Sequence, residues 1–513
     1  MSDTLTKTGS FGTHIHAPAG MIVAAFLALA TAAASDDIAQ QAPSAAARTT
    51  NSTSAEPPAG PPDATLPVAA AEPAPAEPAT LPAPDAASGD PLQALGSAQT
   101  RFLRLRDEDR KDEAAAAALQ VAQLTQAVYG PSGLETVTPL VNLAIMQVEN
   151  GELSAAEQNY RAAIRIIELH EGRLSLRLVN PLIGLGHTYN RSGRNEQAVD
   201  SFKHAMRINH VNLGFYNFDQ FSIQDGLTES YLALEEYDAA SFYQESQVEI
   251  HQRKLGSSNP AIVPALYKLA EWYSRIGKYE ASQLEYRSAD RLLRETHGDA
   301  SATRAEPMLG MARQHERQGN SPAALRILHK ALRLVSAEEE PDSLQQAEIR
   351  VALGDIYSRD GKSSAAHAEY VAAWADLSVD DAYLDQRNNY FATPVRVAGG
   401  PLNPYARHAR GKPADQLLDG YVLISYAVSP KGRATDVKIV ESDPANVMDK
   451  SMTTTYRRSY FRPRLEDGVP VVTEGLLARH DFKYAPRDKP GAESVDKPSS
   501  GRKSEGKRLE QPD

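Results

Sequence analysis

The stretch Pro181–Ile208 reads PLIGLGHTYNRSGRNEQAVDSFKHAMRI. A small residue, Gly186, lies inside its first apolar run, Gly193 punctuates it seven residues later, and Ala198 opens a second run. Each position recurs along the chain with a period of 42 residues. The first column is Ala144, Gly186, Thr228, Ala270, Ala312 and Gly354, and the turn column is Gly151, Gly193, Glu235, Gly277, Gly319 and Gly361. The third is Ala156, Ala198, Ala240, Ser282, Ala324 and Ala366. Four positions later come Tyr160, Phe202, Tyr286, Leu328 and Tyr370, and seven positions later Ala163, Ala205, Gln247, Ala289, Ala331 and Ala373. A weaker first copy falls at Phe102.

Two antiparallel helices approach closely only where the facing side chains are small. A turn glycine ends the first helix in a left-handed conformation, and the aromatics fill the groove against the next hairpin. No hairpin buries its apolar face alone, so the copies stack. These columns resemble the tetratricopeptide repeat, clearly so at 181–208 and at Ile349–Leu377 (IRVALGDIYSRDGKSSAAHAEYVAAWADL). The period exceeds the usual ~34 residues and resembles the long variant of kinesin-light-chain-like arrays, with connectors such as Leu255–Pro260. The copy at Thr228 is degenerate, with Glu235 and Gln247 at consensus positions. The resemblance implies a protein-binding scaffold with a concave groove lined by the first helices. By repeat register the groove-facing candidates are Asn180, His187, Arg191, Glu229, Tyr267, Glu271, Arg275, Arg313 and Arg317. The aromatic group Phe215, Tyr216, Phe218 and Phe221 either packs a connector onto the array or meets a ligand.

After a Pro/Gly-rich break at 394–413 the apolar period changes from 3.6 to 2. In Tyr421–Val428, Val422, Ile424, Tyr426 and Val428 share one face; Ser429–Gly432 is a turn; Thr435–Glu441 returns with Val437 and Ile439 on one face. A helix is expected next, capped by Asp443 with Pro444 at its first position, and Met448, Met452 and Tyr456 make its apolar stripe. Val471–Tyr484 gives a last strand with Val472, Leu476, Ala478, Phe482 and Tyr484 on one side. The order is β-β-α-β. This segment resembles the C-terminal domain of the TonB family, through Asn403–Arg407, Gly420, the turn Ser429–Gly432, Val437–Val440, Pro444–Asn446 and Arg457–Pro463 (RRSYFRP). It departs from the family pattern at Asn403, where an aromatic is usual, and in the longer loop 408–419.

The resemblance implies an energy transducer that couples the proton gradient of the inner membrane to outer-membrane transporters, for siderophores or other nutrients. Such a domain docks an extended receptor segment by strand addition. Carried over, the peptide-binding edge comprises Val471, Val472, Thr473, Glu474, Gly475, Leu476, Leu477 and Ala478, with Lys438 near the docked peptide. Family anchors carry a Ser and a His four residues apart facing an ExbB/ExbD-like inner-membrane motor, and Ser10 and His14 match that spacing.

No charged side chain lies between Lys7 and Asp36, and Met21–Ala34 is the most apolar stretch of that segment. It reads either as a cleaved signal peptide, with Ala32, Ala34 and Ser35 at the cut, or as a short membrane anchor. Both readings carry the rest of the chain across the membrane, and the first leaves a soluble periplasmic scaffold with no role in energy transduction. Residues 36–92 hold 12 Pro and 17 Ala, too little apolar bulk to offset ordering entropy. Extended as polyproline II at roughly 3.1 Å per residue, they would reach on the order of 150 Å.

The 513 residues carry a net charge of −12, and eight Asp/Glu against one Arg within 36–92 supply most of it, which argues against general nucleic-acid binding. The absence of Cys excludes thiol catalysis, thiolate metal sites and disulfides. No hydrolase, zinc or dinucleotide motif appears. Gly501 with Gly506-Lys507 mimics a phosphate loop but is followed by Arg508 within a mixed-charge tail. A non-enzymatic envelope protein without cofactor, metal or catalytic site is expected. Its segments are 1–35 (signal peptide or anchor), 36–92 (disordered linker), 93–390 (mainly α, an α-solenoid of seven helical hairpins), 395–485 (a small α+β domain) and 486–513 (disordered tail).

Overall fold

The computed structural model describes residues 90–407 and 409–486. These fall into two compact units, divided between Glu338 and Glu339. Residues 1–89, which include Ser10, His14 and the apolar run, lie outside the described residues. Among the described residues no helix is long and apolar enough to cross a membrane.

The first unit consists of α1 (Pro91–Asp107), α2 (Lys111–Tyr129), α3 (Val137–Glu149), α4 (Leu153–Glu171), α5 (Val179–Arg191), α6 (Asn195–Leu213), α7 (Phe221–Ala233), α8 (Tyr237–Leu255), α9 (Val263–Arg275), α10 (Tyr279–His297), α11 (Ala305–Arg317) and α12 (Ser321–Val335). Consecutive helices pair as hairpins, and each hairpin packs on the next. From α3 to α10 a first helix of 13 residues alternates with a second of 19. That long second helix accounts for the 42-residue period. It ends at a glycine column unnoticed in the sequence reading, Gly130, Gly172, Gly214, Gly256 and Gly298, with φ between 79° and 91°.

The small-residue columns are the seams of the array. Ala144, Ala156, Ala163, Ala198, Ala205, Ala240 and Ala289 are all fully buried. Phe202 is fully buried too, and a Cβ at Gly186 would come within 2.7 Å of its ring. The turn column sits in the left-handed region: Gly151, Gly193, Gly277 and Gly319 have φ of 81°, 74°, 79° and 75°. Glu235 takes the same conformation at φ 62° despite its Cβ.

The second unit begins with one more hairpin on the same columns, α13 (Ser343–Arg359) and α14 (Ser363–Asp376), followed by α15 (Leu384–Phe391). The strands are β1 (Val395–Ala398), β2 (Leu418–Val428), β3 (Ala434–Asp443), β4 (Tyr460–Arg462), β5 (Leu465–Glu466), β6 (Val469–Pro470) and β7 (Thr473–Tyr484), with α16 (Asp449–Arg457) between β3 and β4. The main sheet is antiparallel in the order β3-β2-β7, and β1 pairs with β4. Val422, Ile424, Val428, Val437, Met452, Tyr456 and Phe482 form its core. A second core joins Tyr370, Ala373 and Phe391 to Leu465 of β5, so the hairpin and the strands share buried surface. The chain is thus a tetratricopeptide-like solenoid followed by a small strand-rich domain.

Two local expectations are corrected. The helix starts at Asp449, not behind Asp443, because Asp443 still pairs with Tyr421 as the last residue of β3. Val472 is exposed and precedes β7, because Gly475 at φ 70° and a register shift opposite Tyr426–Val428 reset the alternation. Beyond that irregularity Leu476, Ala478, Phe482 and Tyr484 pack on the core as the alternation requires.

Candidate functional site

The edge strand β7 pairs with β2 along one side only. On the other side the Lys483 amide donates to the Pro404 carbonyl at 2.7 Å, and the Ala406 amide donates to the Lys483 carbonyl at 2.8 Å. Backbone groups in a strand alternate sides, so Leu477, Arg479 and Asp481 face outward with Lys483. Among the described residues no backbone partner meets those three. Of the expected edge residues, Thr473–Ala478 belong to β7, whereas Val471 and Val472 precede it. Lys438 lies opposite Ser425 on β3, with β2 between it and β7, so it does not border this rim.

Arg462 ends β4 with its side chain 8% exposed. Its Nε and Nη2 donate to the Asp355 carboxylate on α13 at 3.1 and 2.7 Å, and Nη1 donates to the Tyr390 carbonyl at 3.3 Å. The Tyr370 hydroxyl donates to the same carboxylate at 2.8 Å. Burial alone would push the guanidinium pKa down, and Asp355 outweighs it and holds it up. Burial, then the Asp355 charge, pushes the Tyr370 phenol well up. Arg359 donates to the Val397 carbonyl of β1 at 3.3 Å. Neither Asp355 nor Arg359 was among the sequence candidates, although the repeat register places both in groove columns.

The expected groove residues fall into several local settings. The His187 ring meets Phe202 edge-on at 5.1 Å, and Nδ1 is 3.9 Å from Glu229. Burial lowers the His187 pKa to about 4, against the pull of Asp225. Partial loss of solvation by neighbouring groups, then Asp225, raises Glu229, although its side chain stays more than half exposed. Partial loss of solvation by neighbouring groups raises Glu271, opposed by Arg313, although the residue as a whole is exposed. Tyr267 packs on Tyr286 at 5.9 Å, and burial raises its phenol. The Arg191 guanidinium donates to the Val148 carbonyl, and Arg317 lies over the Tyr279 ring. Arg275 pulls Glu229 down and Arg313 pulls Glu271 down. Asn180 is half-buried.

The hub missed by the sequence reading is Asp225. It receives Gln244 at 3.1 Å, Gln247 at 2.7 Å and Lys268 at 2.6 Å. The signal was present: Gln244 and Gln247 stand where other copies have an aromatic and an alanine, so the degenerate copy is a polar network. In the connector, Phe218 and Phe221 pack on His251 at 5.2 and 4.9 Å, and Arg253 covers Tyr216 at 4.2 Å. Phe215 remains exposed against His210.

The model of the tetratricopeptide repeat matches residues 180–210 and 303–373, and that of the Gram-negative bacterial TonB protein C-terminal matches 413–483. The chain combines tetratricopeptide repeats with a TonB C-terminal domain. Solved structures similar to it include a Podosopora anserina kinesin light chain of nearly identical TPR-like repeats, 18% identical with TM-score 0.36 over 41% of this chain and 98% of that one. A tetratricopeptide repeat protein from Parabacteroides merdae is 16% identical, with TM-score 0.33 over 58% and 98%. Pseudomonas aeruginosa pilF is 15% identical, with TM-score 0.30 over 51% and 98%. Among curated proteins none matches. Both families are non-catalytic scaffold or binding domains, and the TonB C-terminal domain belongs to the Gram-negative envelope. Together they support a protein-interaction role in the envelope.

Proposed function

We propose that the TonB C-terminal domain receives an extended segment of an outer-membrane transporter as an added strand on β7, while the repeats hold further protein partners. The observation that carries this reading is the pairing already present at Lys483. There the chain's own Pro404–Ala406 segment adds to the rim, with Tyr405 bridging Lys483 in parallel. This pairing supports a rim open to extended backbone, and Leu477, Arg479 and Asp481 continue the same outward side. Energy transduction further requires residues 1–35 to be retained as an anchor, with Ser10 and His14 facing an ExbB/ExbD-like motor. A mature chain beginning near Ser35 would leave binding without coupling.

The test is Leu477→Pro in the full chain. The Leu477 amide points away from β2, so proline removes an outward donor and spares the ladder. Outer-membrane proteins recovered by the wild type are expected to be lost with the variant, while its circular dichroism stays unchanged. Equal recovery by both refutes strand addition.

A further inference from the structure

Hairpin α13–α14 already holds a ligand in the groove columns, and that ligand is part of the same chain. Counted in steps of 42 residues, Asp355 shares a column with His187, Glu229, Glu271 and Arg313, and Arg359 shares one with Arg191, Arg275 and Arg317. On this hairpin the extended pair β1–β4 is held by three contacts. The Asp355 carboxylate takes the Arg462 guanidinium in two hydrogen bonds, the Tyr370 hydroxyl supports that carboxylate, and Arg359 donates to a strand carbonyl.

Hairpin α9–α10 repeats this set. Glu271 stands at the Asp355 position, Tyr286 at the Tyr370 position and Arg275 at the Arg359 position. Glu271 and Tyr286 lie on the two paired helices of this hairpin, as Asp355 and Tyr370 lie on theirs, and burial and then the Glu271 charge push the Tyr286 phenol up to about 12. Arg313 on α11 is near enough to pull Glu271 down, yet among the described residues Glu271 has no ion pair within 4.0 Å. The two preceding hairpins are different. In α7–α8 the column holds Glu229, but Gln244 takes the position of Tyr286 and Ala233 that of Arg275, so neither phenol nor arginine is present. In α5–α6 the column holds His187 against Phe202, with no carboxylate.

We propose that Glu271, Tyr286 and Arg275 form a binding site for an arginine side chain on an extended segment of a partner protein. The site seats that arginine as Asp355, Tyr370 and Arg359 seat Arg462. The carboxylate takes the guanidinium as a two-pronged acceptor, and Arg275 donates to a carbonyl of the segment. The inference rests on the reading of the repeats as a protein-binding groove and narrows it to one hairpin and one side chain.

The experiment measures fluorescence anisotropy of labelled, end-blocked peptides on the full chain. The probe has the sequence Ser459–Pro463 flanked by two alanines on each side, so Arg462 is its single charge. A second probe carries citrulline in place of that arginine, keeping its shape without its charge. A third is a pool of extended nonamers lacking Arg and Lys. The arginine peptide is expected to bind, and both citrulline replacement and Glu271→Gln are expected to weaken it roughly tenfold or more. Glu271 is exposed, so the variant keeps its fold, as circular dichroism would verify. If the pool binds and the arginine peptide does no better than its citrulline form, the arginine site is overturned and the groove reading stands. If neither pool nor arginine peptide binds, both are overturned.

Discussion

Replacing Asp355 with alanine strips the Arg462 guanidinium of its only carboxylate partner among the described residues. What remains is the Tyr390 carbonyl at 3.3 Å and the faces of Tyr370 and Tyr390, 5.9 and 5.3 Å from the guanidinium. With 8% of the Arg462 side chain exposed, water cannot replace the lost hydrogen bonds without opening the shared core. Leaving one member of such a pair buried costs about 3–5 kcal/mol, a large share of the 5–15 kcal/mol that holds a typical domain together. At a urea dependence of about 2 kcal/mol per molar, the midpoint of the second unit falls by about 2 M. Trp374 reports that unit, packed on Phe391 at 5.9 Å and against Gly468. A Trp272→Phe background silences the other tryptophan, which lies in the first unit. The double variant Asp355→Leu with Arg462→Met is expected to recover much of the loss, since no charge is then stranded. A midpoint shift below about 0.5 M for Asp355→Ala, or a double variant as unstable as the single, would refute the reasoning.

Glu235→Gly is expected to stabilise the first unit by about 0.5–1 kcal/mol, because the left-handed cost of a Cβ outweighs the added freedom of the unfolded chain; urea unfolding measures it. Asp225→Ala, which strands Lys268 and two glutamines, is expected to destabilise the same unit by about 1–3 kcal/mol in that assay. His187 supplies a pH dependence. Its folded value of about 4 lies below the ordinary 6.5, so above pH 6.5 both states are neutral and nothing is lost. As pH falls from 6.5 towards 4 the unfolded chain takes the proton first and stability drops, by about 2 kcal/mol at pH 5. His187→Phe is expected to flatten that limb of the midpoint-against-pH curve.

The hairpins were legible because each column answers to one local requirement. A seam needs small residues, a turn needs a left-handed residue, and a gap needs a ring. Residues such as Ala198 and Phe202 announce these needs from sequence alone. The β2–β3 hairpin was legible for the same reason, through strict alternation about Ser429–Gly432. What failed depends on distant pairing. Asp443-Pro444 fits a helix start as well as a strand end, and Tyr421 opposite Asp443 decides between them. Gly475 hid the reset of β7, since its effect appears only against Tyr426–Val428. Asp355 and Arg462 lie 107 residues apart, and each alone reads as an ordinary charged residue. The groove candidates were placed by register, but register does not say which columns are satisfied internally. Only the packing of the folded hairpins separates the saturated Asp225 from the open Glu271.

Arg462 belongs to the signature Arg457–Pro463 by which the C-terminal domain was recognisable, yet a repeat carboxylate consumes its charge. This constrains how the strand domain works. Phe391 and Leu465 are nearly fully buried in one core with Tyr370, and β4 carries both the ladder to β1 and the ion pair to α13. A load drawn along β7 meets the antiparallel β2–β7 ladder first, where the paired residues run from Leu418–Tyr484 to Val428–Thr473. Such a ladder is loaded in shear, with its hydrogen bonds resisting together. The neighbouring ties to α13 lie across β4, not along β7. Hairpin α13–α14 is therefore part of the foundation on which the β7 rim stands. A fragment beginning at Val395 would expose Leu465 and leave Arg462 without Asp355, so loss of binding by that fragment would report unfolding of the rim's support rather than the chemistry of the rim.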